Sequence, residues 1–346
     1  MTPATTPAPD LADLRVTPPD LSVVVVTYQS ARTIAGCLAA VPAAVREADG
    51  RGCSVEVVVV DNASDDATVA VVRGLDLGLP VRLHEQAGNA GFAGGVNAGL
   101  ARATGTYVVL VNPDLVLAPG SLAALVRYAQ EHPEHLVYGG RTVTPGGADD
   151  PRSGWRLPTL WGYLCFATGA STVLRRSRLF NPEAIGAWPS GEARPVGAVS
   201  GCLLLAPRAT WERLGGLDER FFMYSEDIDL AVRASALGAR PVLVRASVGV
   251  HEGGASSSRG EKTVMVLRGK VLFLHLHWPA LRRRLAIALL RAGVALRAAG
   301  ARATGRDRDN PWRHAFAHRA DWSRAGAASV PTDGAPGGPA STRSSA

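Results

Sequence analysis

Three short runs of the chain, residues 22–26, 55–60 and 107–111, are almost wholly apolar and rich in valine. Hydrophobicity that does not alternate is expected of strands buried on both faces of a parallel sheet. After the first run Ile34, Leu38, Val41 and Val45 recur at helical spacing, and Pro42 is expected to kink that helix or to mark its start at a shorter segment. After Gly91 a second helical pattern stacks Phe92, Val96 and Leu100 on one face. Alternation of strand and helix over roughly a hundred residues predicts an α/β fold with a doubly wound sheet, in which a ligand binds at the carboxyl ends of the strands.

Outside this region the pattern changes. Residues 1–20 are rich in Pro, Thr and Asp, and residues 326–346 in Gly, Ala, Pro and Ser; both read as disordered tails. From Lys262 to Arg306 there is no Asp or Glu, while Arg282, Arg283, Arg284, Arg291 and Arg297 interleave with Leu285, Ile287, Leu289, Leu290, Val294 and Leu296. Two readings of this basic amphipathic helix stand side by side. It lies in a membrane interface, or it packs on the rest of the protein with a solvated basic face.

The net charge of +7 suits nucleic acid, an anionic membrane or a phosphorylated substrate. Nucleic acid is disfavoured, because no reader motif is present and the excess charge sits in one amphipathic segment. Cys37, Cys53, Cys165 and Cys202 form no CxxC pair, which points away from a zinc or thioredoxin-like site and toward a reducing compartment. The N-terminal residues lack the basic start and apolar stretch of a secretory signal, and no apolar run reaches the length of a membrane span. A cytoplasmic protein is expected.

Polar residues at the predicted strand ends carry the candidate chemistry. The first strand ends in Thr27-Tyr28-Gln29-Ser30 and the second in Asp61-Asn62-Ala63-Ser64-Asp65-Asp66. There Asp61 can accept a hydrogen bond from a base or ribose, and Thr27 can hold the base edge; Ser64 to Asp66 read better as a helix cap and turn. The segment from Gly88 to Asn97 is not a dinucleotide fingerprint, which would follow the first strand directly, so an NAD-dependent dehydrogenase is disfavoured. Its glycines still allow close backbone approach to a diphosphate or sugar at a helix N-terminus.

The third strand runs into Asn112-Pro113-Asp114, where a carboxylate at a strand tip suits Mg²⁺ or Mn²⁺, although the same tripeptide is an ordinary turn. The densest cluster is Tyr224-Ser225-Glu226-Asp227-Ile228-Asp229. On a helix beginning here Glu226 and Asp229 share a face, Asp227 points roughly 100° away, and Asp229 can pair with Arg233. His251, at the end of an apolar stretch and before a Gly- and Ser-rich loop, is either structural or a second metal ligand beside a loop able to close over phosphates.

Taken together, VVVVTYQS, VVVDNASDD, GNAGFAGGVNAG, VLVNPD, SGCLLL, GGLDERFFMYSEDIDL and VHEGGAS resemble the family 2 glycosyltransferases of the GT-A fold. The resemblance is strongest to the rhamnosyltransferase branch, including actinobacterial members that act on polyprenyl-diphosphate-linked N-acetylglucosamine. It covers residues 21–278. It implies a nucleotide-binding half over residues 21–140, an acceptor-binding and catalytic half over 141–261, and a basic helical extension over 262–325.

The resemblance further implies an inverting transfer of L-rhamnose from dTDP-L-rhamnose, the alternative being another sugar nucleotide used for exopolysaccharide or O-antigen-like glycans. Thr27, Tyr28, Asp61, Asn89, Gly91, Phe92, Asn97 and Asn112 fall to the nucleotide-sugar donor, and Ser200, Gly201 and Tyr224 to the polyprenyl-linked acceptor. Asp227 matches the catalytic base, Glu226 its acidic neighbour, and Asp114 and His251 the contacts to a divalent metal. Asn112 stands where the wider family has the first carboxylate of its Asp-x-Asp motif. A catalytically silent sugar-nucleotide-binding protein is the alternative, and retention of Asp114 and Asp227 argues against it.

Overall fold

The computed structural model describes residues 19–46, 52–186, 188, 191–251, 258–305 and 310–325. Residues 1–18, the expected C-terminal tail and, except for Ser258, the expected loop from Glu252 to Ser258 lie outside the described residues. The chain runs through β1 (Leu21–Thr27), α1 (Ile34–Ala44), β2 (Val55–Asp61), α2 (Thr68–Gly74), β3 (Val81–Glu85), α3 (Gly91–Leu100), β4 (Tyr107–Val111), β5 (Leu115–Leu117), α4 (Ser121–Glu131) and β6 (Tyr138–Val143). It continues through β7 (Gly154–Trp155), α5 (Leu160–Ala167), α6 (Ala170–Val173), β8 (Ala193–Pro195), β9 (Ala198–Val199), β10 (Leu203–Pro207), α7 (Arg208–Leu214), α8 (Glu226–Ala236) and β11 (Val242–His251). Four helices follow: α9 (Arg259–His277), α10 (Ala280–Ala303), α11 (Pro311–Ala317) and α12 (Arg319–Ser323).

The main sheet has the order β3-β2-β1-β4-β10-β6-β11-β5, with β8 beside β11. Its first four strands are parallel; β1, β2 and β4 are the expected unbroken apolar runs, whereas β3, interrupted by Arg82 and His84, was not among them. Beyond β4 the expectation of a doubly wound parallel sheet is corrected: β10 is antiparallel to β4 and β6, β11 is parallel to β6, and β5 is antiparallel to β11. The order reverses at β1, so the crevice between the carboxyl ends of β1 and β4 is the natural ligand position. The boundary drawn at residue 140 falls inside β6, and one sheet carries both halves. Pro19 and Asp20 belong to the fold rather than to a tail, since their carbonyls accept from Thr106 and Tyr107 N–H.

Pro42 neither breaks α1 nor starts it; it sits in the last turn, near where the helix ends. Helix α3 meets the sheet differently from the expected Phe92, Val96 and Leu100 stack. Val96 is buried, but Phe92 and Leu100 are half-buried, and the closest approach is made by Gly95 and Gly99. A Cβ on Gly95 would stand 2.5 Å from Val26 Cγ1 and one on Gly99 2.4 Å from Val24 Cγ1, so only glycine permits this spacing. The absence of side chains, not a large apolar ridge, seats the helix beneath the strand ends.

Helices α9 to α12 pack with α5 around a separate core that includes Tyr163, Phe221, Val271, Leu290, Val294 and Trp322. One face of α10 is therefore covered, with Ala286, Leu290, Gly293 and Val294 buried. Arg297 is not on a solvated face: its guanidinium lies 3.9 Å from the Phe166 ring centroid and donates to Phe166 O and Thr172 Oγ1, each at 2.7 Å. Leu281, Leu285 and Leu296 remain exposed on the other side. No helix among the described residues is long and apolar enough to cross a membrane.

Candidate active site

The β1–β2 register sets Thr27 opposite Asp61. Thr27 Oγ1 donates to Asp61 Oδ1 at 2.7 Å, the Ser64 hydroxyl donates to the same oxygen at 2.7 Å, and the Ser64 N–H donates to Oδ2 at 2.8 Å. Thr27 and Asp61 are both buried, whereas Tyr28 is exposed at the same rim. The Thr27 hydroxyl thus orients Asp61, and Tyr28 is the side chain presented to solvent. Asp66 behaves as turn chemistry requires, accepting from Thr68 N–H at 2.9 Å and from Ala31 N–H at 3.1 Å.

The glycine segment is docked onto the chain preceding α8. Gly91 has φ +75°, and a Cβ there would stand 2.3 Å from Phe222 O. Phe92 N–H donates to that carbonyl at 2.7 Å, while Asn89 Oδ1 accepts from Gly91 N–H at 2.9 Å. Buried Asn62, which sequence reasoning did not single out, donates to Gly91 O at 2.8 Å and accepts from Gln86 at 2.6 Å. Asn97 is engaged at both ends of its amide: it donates to Leu217 O and accepts from Leu217 N–H, each at 2.9 Å. Its observed contacts are those of a staple between α3 and Leu217.

Asp114 and His251 come together because β5 and β11 pair with His251 opposite Leu115. His251 Nε2 lies 3.2 Å from Asp114 Oδ2, and Nδ1 lies 3.4 Å from Asp150 Oδ2. The hydrogen bond to Asp114 raises the imidazole pKa against the opposing effect of burial. Asp150, buried and paired with Arg152 at 2.7 Å, was not legible in the sequence. It reaches the site through a turn that returns along β6, where its N–H donates to Thr142 O at 2.9 Å.

Two ligands at right angles around an ion with bonds of about 2.1 Å stand roughly 3 Å apart. The Asp114–His251 separation therefore fits a divalent ion held by one oxygen and one nitrogen. No group of three or more His, Cys, Asp or Glu side chains among the described residues is arranged to hold a metal. The remaining ligands would have to be phosphate oxygens or water.

A single turn, from Ser200 to Cys202, links this corner to the acidic cluster. Asn112 donates through its amide to Cys202 Sγ at 3.1 Å and through its backbone N–H to Cys202 O at 3.0 Å. On the other side Gly201 N–H points to Asp227 Oδ2 at 3.5 Å, and a Cβ on Gly201 would stand 3.0 Å from the Phe92 ring. Burial pushes the Cys202 thiol up to about 12, so it is no nucleophile at neutral pH.

Helix α8 opens with Glu226 immediately after two residues in the left-handed region, Tyr224 (φ 71°) and Ser225 (φ 74°). Non-glycine residues rarely hold this conformation, and it is costly enough to mark a constrained site. Asp227 is 9% exposed and accepts from Ile228 N–H at 2.8 Å. Burial raises its pKa to about 6 despite the backbone donors. Glu226 is raised well above its ordinary range, first by burial and then by the charge of Asp227; its Oε2 has no hydrogen-bond partner among the described residues.

Asp229 is different. Arg233 at 2.8 Å and His277 at 2.7 Å hold it as a buried structural anchor between α8 and α9. The sequence pattern gave the Arg233 pairing but contained no sign of His277. A base of pKa about 6, beside a carboxyl raised well above its ordinary range and joined through the Ser200–Cys202 turn to the corner that holds the Asp114–His251 pair, is equipped for proton removal from a hydroxyl.

Residues 22–186 match the family description Glycosyl transferase family 2. The chain is 30% identical over 277 residues to the N-acetylglucosaminyl-diphospho-decaprenol L-rhamnosyltransferase of Mycobacterium tuberculosis, covering 74% of this chain and 83% of that protein. It is 36% identical over 111 residues to the succinoglycan biosynthesis protein ExoO of Rhizobium meliloti, covering 32% and 30% respectively. Among solved structures, it resembles the mannosyltransferase PcManGT of Pyrobaculum calidifontis in complex with GDP-Man and Mn²⁺, with TM-score 0.51 and 22% identity over 90% of this chain and 87% of that one. It also resembles GalNAc-T7 with UDP, GalNAc and Mn²⁺, with TM-score 0.57 and 15% identity over 80% and 51%. The chain belongs to glycosyl transferase family 2 and is a glycosyltransferase of the GT-A fold.

Proposed function

We propose that this glycosyltransferase moves L-rhamnose from dTDP-L-rhamnose, with inversion, onto a polyprenyl-diphosphate-linked saccharide in cell-envelope glycan synthesis. The observation that carries the reading is the convergence of Asp227 with the Asp114–His251 pair on opposite sides of the Ser200–Cys202 turn. The L-rhamnosyltransferase relative supports the transferred sugar and the acceptor class. Asp61 and Tyr28 take the nucleoside, and the Asn89 to Phe92 segment together with Asn112 takes the donor sugar and diphosphate. Ser200, Gly201 and Tyr224 line the acceptor side.

Asp227 removes the acceptor hydroxyl proton as that oxygen attacks the anomeric carbon from the face opposite the diphosphate, with buried Glu226 beside it. Asp114 and His251 would hold a divalent ion, which supplies charge neutralisation for the leaving diphosphate. The Mn²⁺ in two structures of the same fold supports this choice.

We further propose a cytoplasmic location, peripheral on the inner face of the plasma membrane. Most large apolar side chains left exposed among the described residues gather on three helices that pack together: Trp161, Leu164, Val173, Leu174 and Leu179 around α5 and α6, and Leu281, Leu285 and Leu296 on α10. Exposed Arg175, Arg176 and Arg178 flank the first group, and no acidic residue occurs from 151 to 182. Incubation with UDP-, dTDP- and GDP-sugars and a polyprenyl-diphosphate-linked N-acetylglucosamine tests the reading. Transfer from dTDP-L-rhamnose alone is expected; preference for another donor overturns the donor assignment.

A further inference from the structure

Helices α5, α9, α10 and α11 enclose a groove of about 460 Å³, within the roughly 300–1,000 Å³ typical of small-molecule sites. Its walls include Phe166, Val266, Leu267, Leu290 and Trp312, so most of what it offers is apolar. Its charges are fewer and unequal in kind. Lys270 and Glu183 satisfy each other at 3.1 Å, leaving Arg259 and Lys262 as an excess of positive charge along the same wall.

The groove is joined to the catalytic turn. Lys262 Nζ lies 5.8 Å from the Tyr224 ring centroid. Two turns further along α9, Gly269 packs on the same residue: a Cβ there would stand 2.2 Å from Tyr224 O and 3.1 Å from Ser225 Oγ. The groove is also walled by Ser171 of α6 and by Pro182, close in the chain to exposed Val173, Leu174 and Leu179. One cleft therefore borders both the residues preceding Asp227 and the apolar, arginine-rich surface.

We infer that this groove binds an isoprenoid diphosphate, the lipid end of the acceptor, with Arg259 and Lys262 on the diphosphate and the α5–α9–α11 wall on the first isoprene units. The occupant follows from the pairing of chemistries: a long apolar wall alone suits any hydrocarbon, and two cations alone suit any phosphate, whereas both together suit a diphosphate joined to a hydrocarbon chain. Bound in this way, the diphosphate sits beside Tyr224, and the sugar attached to it extends toward Asp227. The inference rests on the acceptor class proposed above.

Calorimetry on the full chain tests it with farnesyl diphosphate, inorganic pyrophosphate, farnesol and dTDP as separate probes. Farnesyl diphosphate is expected to bind at least tenfold more tightly than pyrophosphate or farnesol, and to bind equally well with saturating dTDP present. Lys262→Ala, which removes a cation, and Val266→Trp, which fills the cleft, should each weaken farnesyl diphosphate at least tenfold while leaving dTDP binding unchanged; retained dTDP binding also reports that each variant is folded. Unchanged farnesyl diphosphate binding in folded variants, or its displacement by dTDP, overturns the inference even if rhamnosyl transfer is observed. Groove-dependent binding in a protein that transfers no rhamnose would sustain the site and sink the donor assignment instead.

Discussion

Asp227 sits in an environment that favours its neutral form, and this links activity and stability to pH in opposite senses. As a base it must be ionised, so kcat/KM is expected to rise about tenfold per pH unit below its pKa of about 6 and to level off above it. For the fold the sign is reversed. A carboxyl whose pKa rises on folding stabilises the native state fully below its ordinary value of 3.8, and that contribution is lost as the pH passes through about 6. Asp227→Asn should therefore cut transfer at least about a hundredfold and abolish the acidic limb of the profile, yet raise Tm by a few degrees at neutral pH. A loss of activity accompanied by a lower Tm would place Asp227 among the structural carboxylates, as Asp229 is.

At the same scale, Asp114→Ala should eliminate the tightening of dTDP binding by Mn²⁺, because the described residues offer no third carboxylate, imidazole or thiolate to replace it. Calorimetry with and without the ion decides this; equal tightening in wild type and variant would remove Asp114 from the metal site. Asp114, His251 and Asp227 were legible because each carries chemistry at a predicted element end. Asp150, Asn62 and His277 were not. Their partners lie 101, 29 and 48 positions away in the chain, and nothing local to them distinguishes a buried partner from a surface residue.

At the scale of elements, glycines set distances that larger residues could not. On α3 they carry the helix against the sheet, and on α9 Gly269 lets the helix backbone reach Tyr224 O. Gly269→Ala should displace the Tyr224–Ser225 turn, lowering kcat at least tenfold with little change in dTDP affinity, since the donor rim is built from β1, β2 and α3. Steady-state rates and calorimetry on the same sample check it; a wild-type kcat would mean that the turn tolerates the shift. Of the parallel strands, β1, β2 and β4 were readable from unbroken, valine-rich runs, and β3, with Arg82 and His84 interrupting its pattern, was not. The antiparallel placement of β10 between β4 and β6 was not, because a five-residue apolar run carries no record of its direction.

At the scale of the whole molecule, α10 packs on the rest of the protein, one of the two arrangements that its sequence left open. One face closes the helical core, and the other leaves Leu281, Leu285 and Leu296 exposed among arginines. Truncation after Trp278 would strip the cover from α5, so the docking surface is better tested by substitution. Wild type should co-sediment with anionic but not neutral liposomes, each arginine near the surface contributing about 1 kcal/mol. Val173→Asp combined with Leu281→Glu should release it without changing dTDP affinity; undiminished sedimentation of the double variant would relocate the contact.

Inversion is the most direct consequence of the proposed single displacement, in which Asp227 acts across the sugar from the leaving diphosphate. NMR of the purified product, made from dTDP-L-rhamnose and a polyprenyl-diphosphate-linked N-acetylglucosamine, reads the anomeric configuration of the new bond. The expected result is the anomer opposite to that of the donor, formed by wild type and at least about a hundredfold more slowly by Asp227→Asn. A product that keeps the donor's configuration would contradict the assignment of Asp227 as the base in a single displacement.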